Sequence, residues 1–136
     1  MTEKSFLLGI VTPDREFFSG NVESVVVNTP SGEMGLLAHA LPRISVLKAG
    51  VLKICASGRW MEAANSDGLV YVLPDKVTIL SELCEWPHEV DAAKAEREIA
   101  LLRDKERKAK SAREYNMAKA QLAVQFAKLK IKNHGE

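Results

Sequence analysis

The chain has 136 residues, 46% hydrophobic and 27% charged, which suits a small globular domain with an appendage. Aromatic residues are only 6%, which argues against a stacking platform for single-stranded nucleic acid. No apolar run approaches the roughly 20 residues needed to cross a bilayer. The net charge of +1 hides a division: residues 1–87 carry 7 Lys and Arg against 10 Asp and Glu, whereas residues 88–136 carry 12 against 8. A basic tail on an acidic body points to a tail that meets an acidic surface.

The opening Met1-Thr2-Glu3-Lys4 lacks the charged and apolar regions of a signal peptide, so a cytosolic chain, or one held at a membrane by other chains, is expected. Short apolar, β-branched runs then follow at a spacing of about ten residues. They are Phe6 to Val11, Val22 to Val27, Ile44 to Leu47, Gly50 to Ile54, Arg59 to Ala63, Leu69 to Leu73 and Lys76 to Leu80. Ser57-Gly58, Asn65-Ser66-Asp67-Gly68 and Pro74-Asp75 supply the backbone freedom or fixed φ of tight hairpin turns. Many short strands joined by tight turns predict an antiparallel β-sandwich or barrel over residues 1–86. No helix-length segment separates the strands, which disfavours a parallel α/β sheet. Cys55 and Cys84 form no metal or redox motif and read as buried free thiols.

At Glu85-Trp86-Pro87-His88 the character changes. Residues 88–134 contain neither Gly nor Pro, and 10 Ala fall in residues 88–136 against 6 before them, a helix-forming composition. Two apolar stripes run at helical spacing: Ala92, Ala95, Ile99, Leu102 and Ala109, then Met117, Ala120, Val124, Ala127 and Ile131. Ser111-Ala112-Arg113-Glu114 fits a capping box and marks the start of a second helix. Residues 87–136 therefore predict either an antiparallel α-helical hairpin or one continuous helix. Ala-lined helices bury little area, so the hairpin is expected to be weakly held and able to open.

Catalytic signatures are lacking. The chain has no Gly-x-x-x-x-Gly-Lys-Ser/Thr, Gly-x-Ser-x-Gly or His-Glu-x-x-His, and His39, His88 and His134 have no ligand spacing. No catalytic residue and no metal site are assigned, and no enzymatic activity is expected.

An ordered set of motifs is similar to ATP synthase epsilon subunits. Val11-Thr12-Pro13-Asp14-Arg15 resembles the family's VTPE/D opening, and Phe18 to Val27 its F-x-G-x-V-x-x-V-x-V/P run. Gly32-Glu33-Met34-Gly35-Leu36-Leu37 resembles its G-D/E-x-G-V/I-L turn, and Pro42 to Gly50 the P-x-I/V-x-x-L-x-x-G that follows. Ala40 stands where the family usually has a His, and His39 falls one residue early. The resemblance implies a rotor subunit whose sandwich binds the gamma subunit and rests on the c-ring, with Glu33, Ala38, His39, Pro42 and Arg43 as contacts. It implies helices that reach the alpha/beta catalytic head and restrain ATP hydrolysis, guided by Lys105, Arg107, Lys108, Lys110 and Arg113. It also implies a peripheral protein on the cytoplasmic side of the cell membrane. Some members bind regulatory ATP through an I/L-D-x-x-R-A element. Here Asp91, Lys94 and Lys119 stand in a weakened version of that site, because Lys94 replaces a bidentate arginine. Two rivals fit the residues alone: a free-standing sandwich module dimerising by coiled coil, and a small hydrolase.

Overall fold

The computed structural model describes residues 4–134; most of the opening tetrapeptide read for a targeting signal lies outside the described residues. Ten strands precede the helices: β1 Phe6–Thr12, β2 Arg15–Val22, β3 Ser24–Thr29, β4 Gly32–Leu36, β5 Arg43–Leu47, β6 Gly50–Ala56, β7 Arg59–Asn65, β8 Gly68–Val72, β9 Lys76–Ser81 and β10 Cys84–Glu85. They form two five-stranded sheets, ordered β2-β1-β9-β8-β5 and β10-β7-β6-β3-β4. Side chains alternate across each strand, so every second residue faces the partner sheet. Phe6, Leu8, Ile10, Val70, Val72, Val77 and Ile79 of the first sheet thus meet Val25, Val27, Leu52, Ile54 and Ala63 of the second in one buried core.

Three features depart from the strand pattern read in the sequence. The run Val22 to Val27 is not one strand: Val22 ends β2 in the first sheet and Ser24 begins β3 in the second. Glu23 is the corner; its N–H donates to the Cys55 carbonyl at 2.8 Å and its carboxylate accepts from the Gly58 N–H at 2.7 Å. Asn65-Ser66-Asp67-Gly68 is likewise a corner between sheets rather than a hairpin. Its buried Asn65 donates to the Lys48 carbonyl at 3.0 Å, and Ser66 and Ser81 hydroxyls lie 3.0 Å apart. Finally, β1 and β9 pair in parallel, a neighbour relation that only the closed sandwich creates. The Ser57-Gly58 hairpin is as read, with φ of 53° and 75° at the two turn residues.

A short 3-10 turn, Pro87–Glu89, leads to α1 Ala92–Arg107 and α2 Ala112–His134. The two helices pack on each other, so the chain forms a hairpin rather than a continuous rod. Ser111 caps α2 as expected, accepting the Glu114 N–H at 3.1 Å; the Glu114 carboxylate reaches back to the Lys110 N–H at 3.0 Å. The first stripe holds, with Ala95 and Leu102 buried. In the second, Val124, Ala127 and Ile131 are buried as read, whereas Met117 is exposed and Ala118 and Leu122 join the buried set. The helix must serve both α1 and the sandwich, so its buried face is wider than one stripe.

Candidate interaction surfaces

Of the two helices, α2 makes the main contact with the sandwich, over β6, β7 and the 3-10 turn. The seam is small. Ala127 and Ile131 of α2 meet Ala64, Val90 and Val51 in a cluster separate from the main core. Two polar side-chain pairs flank it. Lys128 Nζ sits 3.3 Å from Glu85 Oε1, and both side chains are largely covered. At the helix end, His134 Nδ1 lies 3.0 Å from Glu62 Oε1. Beyond that end opens a cleft of about 950 Å³ lined by Trp60, Trp86, Met61, Val26, Lys53 and Glu33 among others.

The connector between sandwich and helices is tied down by residues far away in sequence. Arg15 at the start of β2 grips Glu89 with both guanidinium arms, Nη1 to Oε2 at 2.8 Å and Nη2 to Oε1 at 2.9 Å. Nη2 also donates to the Cys84 carbonyl at 3.1 Å, and Glu89 Oε1 accepts the Trp86 N–H at 2.9 Å. The Arg15 guanidinium holds the Glu89 carboxyl down at about 2. Trp86 stacks on Phe17 with ring centroids 4.3 Å apart and meets Phe18 edge-on at 6.2 Å. Burial pushes the neighbouring Cys84 thiol up to about 11, so it packs as an inert apolar group.

The first sheet presents a different surface. From β5 across β8 and β9 to β1, many of its outward positions are apolar where a solvated sheet would be polar. In register, Val46 lies beside Leu69, Leu69 beside Leu80 and Leu80 beside Val11. One row along, Ile44 lies beside Tyr71. Ile44 is 65% exposed and Val46 50%, and no helix covers them. The loop before β5 adds Leu37 and Leu41, the latter 77% exposed. A continuous apolar face of this kind on a small domain marks a partner surface.

The sequence profile of the ATP synthase delta/epsilon chain beta-sandwich domain matches residues 5–87. The chain belongs to this family. It is 39% identical over 129 residues to the ATP synthase epsilon chain of Ruminiclostridium cellulolyticum, covering 95% of this chain and 96% of that one. It is 40% identical over 130 residues to that of Caldanaerobacter subterraneus subsp. tengcongensis, covering 95% and 94%. The fold is similar to chains in two cryo-EM structures. One is a Euglena gracilis mitochondrial ATP synthase OSCP/F1/c-ring assembly, with TM-score 0.79 and 20% identity over 96% of this chain and 82% of that one. The other is a Tetrahymena thermophila mitochondrial ATP synthase central stalk and c-ring, with TM-score 0.64 and 16% identity over 97% and 99%.

The residues that the resemblance to epsilon subunits singles out fall in three places. Ala38, His39 and Pro42 share the loop between β4 and β5, and Arg43 opens β5; His39 adopts a φ of 65° and its N–H donates to the Pro74 carbonyl at 2.8 Å. Glu33 is apart from them, on β4, where it lines the cleft beside Trp60 and Lys53. Lys105, Arg107, Lys108, Lys110 and Arg113 are all exposed around the turn between the helices. Arg107 and Lys108 there share Asp104, each at 3.0 Å. Asp91 and Lys94 meet at the start of α1, and Lys119 lies on α2. The Asp91 carboxylate caps α1 by accepting the Lys94 N–H at 3.1 Å. Lys119 lines a cleft of about 850 Å³ with Arg113, Lys48 and Asp67. Sequence reasoning missed Arg15 and Glu89. They are 74 positions apart, and no local pattern links them.

Proposed function

We propose that this chain is a non-catalytic rotor subunit of an ATP synthase. Its sandwich clamps the gamma subunit to the c-ring, and its helices restrain ATP hydrolysis by the alpha/beta head. The observation that carries this reading is the uncovered apolar face of the first sheet, from Val46 and Ile44 across to Val11. Exposing that face to water is unfavourable, and covering it with the apolar side of a shaft removes the cost. The loop of residues 37–42 continues it toward one end of the sandwich, the part that the resemblance to epsilon subunits puts against the c-ring.

The basic turn between the helices supports the braking part. An acidic segment of the head would attract it, and the attraction would weaken with salt. No described helix is long and apolar enough to cross a membrane. The complex, on this reading, holds the chain peripherally at the cytoplasmic face of the cell membrane. The two units, 1–86 and 87–136, then divide the work into clamp and brake.

The test is co-purification. Tagged wild-type chain should retain gamma subunit from solubilised membranes, and Ile44→Asp with Val46→Asp should lose it while keeping its unfolding temperature. Retention of gamma by the doubly charged variant would remove the first sheet from the interface. Deleting residues 88–136 should raise ATP hydrolysis by the assembled complex; unchanged hydrolysis would leave only the clamp.

A further inference from the structure

We propose, building on the mobile-arm part of the reading above, that residues 84–89 are a strap fixed to the sandwich by Arg15, and that the helical arm swings from Val90 and Asp91. Composition changes at Trp86 and Pro87, which suggests a hinge there. The contacts place the moving joint several residues later.

The strap is held at every point. Cys84 and Glu85 pair with Asn65 and Ala64 as the last strand of the second sheet. Trp86 stacks on Phe17, and the bidentate Arg15–Glu89 pair closes the end. Inside the strap the Glu89 N–H donates to the Trp86 carbonyl at 3.0 Å and the Val90 N–H to the Pro87 carbonyl at 3.2 Å. Val90 and Asp91 then have extended backbones, with ψ of 128° and 101°, between two helical pieces. Rotation at two such residues redirects everything after them without breaking a hydrogen-bonded turn. Past this point, no backbone hydrogen bond joins the helices to the strands among the described residues.

The arm's own contacts with the sandwich have the opposite character. They include the apolar seam of Ala127 and Ile131 and two polar side-chain pairs, Lys128–Glu85 and His134–Glu62, all on the second helix. One of those pairs, Lys128–Glu85, is made to the strap itself. The strap is therefore part of the dock from which the arm departs. Arg15 acts as a positioning residue that keeps the dock and the root of the arm in place when α2 leaves. Without it, several residues of connector would add their extended reach, about 3.3 Å each, to the tether.

Native-state amide hydrogen exchange on the full chain tests this, because locally opening units exchange as groups. In the wild type, the amides of Trp86, Glu89 and Val90 should exchange with the neighbouring strands, and the interiors of α1 and α2 should exchange faster. Lys128→Ala should accelerate the helices and leave those three amides unchanged. Arg15→Gln should accelerate the three by roughly five-fold or more, the scale of a well-formed ion pair, with the core strands unchanged. Acceleration of the strap together with the helices in Lys128→Ala would overturn the proposal, as would an unmoved strap in Arg15→Gln. Failure of the rotor reading itself is seen separately, in the loss of gamma co-purification.

Discussion

Ile131→Ala should release the helical arm while leaving the sandwich folded. Ile131 is fully buried, and among the described residues it is the only one of the largest fully buried side chains that lies outside the sandwich. Its partners in the seam are the small or medium residues Ala64, Ala127, Val51 and Val90. Truncating a buried isoleucine to alanine costs about 2–5 kcal/mol. Even the lower figure multiplies the undocked-to-docked ratio by roughly 30. The seam has few other apolar contacts to set against that loss, so a mostly docked arm becomes a substantially free one. Two measurements read this. Hydrogen exchange should show loss of protection across α1 and α2 with strands β1, β6 and β9 unchanged. In the assembled complex, ATP hydrolysis should fall, because a freed arm reaches the head more often. Equal destabilisation of strands and helices would refute the reasoning, since it would make arm and sandwich one cooperative unit. Unchanged helix protection would show that the polar side-chain pairs, not the seam, hold the arm.

Three further outcomes follow from particular contacts. Gly68→Ala should lower stability by about 2 kcal/mol or more in thermal unfolding, because a Cβ there would overlap the Leu80 carbonyl across β8 and β9. Glu89 titrates at about 2 in the folded chain against an ordinary 4.5, so its contribution to stability is present above pH 4.5 and is lost as pH falls toward 2. Urea unfolding across that window should therefore show a steeper acid loss in the wild type than in Glu89→Gln. For the nucleotide reading, calorimetric titration with ATP and Mg²⁺ should give at most millimolar affinity, abolished by Lys119→Ala and unaffected by Asp91→Ala. Submillimolar binding that needs Asp91 would place the nucleotide at the α1 cap instead of the Lys119 cleft.

The primary sequence alone determined the local elements, because their causes lie within a few residues. Alternating β-branched residues made Phe6 to Thr12 and Lys76 to Ser81 strands. Ser57 and Gly58 accepted the positive φ of a two-residue turn, and Ser111 capped the second helix. The ordered epsilon-like motifs pointed to the family by the same local means. The polar strand Arg15 to Val22 was harder to see, since Arg15, Glu16, Ser19 and Asn21 face solvent and weaken the apolar signal. Tertiary structure alone decided where the chain changes sheets, as at Glu23 and at Asn65 to Gly68, since a corner and a hairpin use the same turn residues. It also decided which sheet stays bare. Both sheets carry apolar residues on their outer faces, and only the landing of α2 on β6 and β7 distinguishes the covered face from the open one. The Arg15–Glu89 clasp belongs to that second class. A charge pair 74 residues apart has no local signature; it exists because the sandwich brings the start of β2 beside the root of the arm.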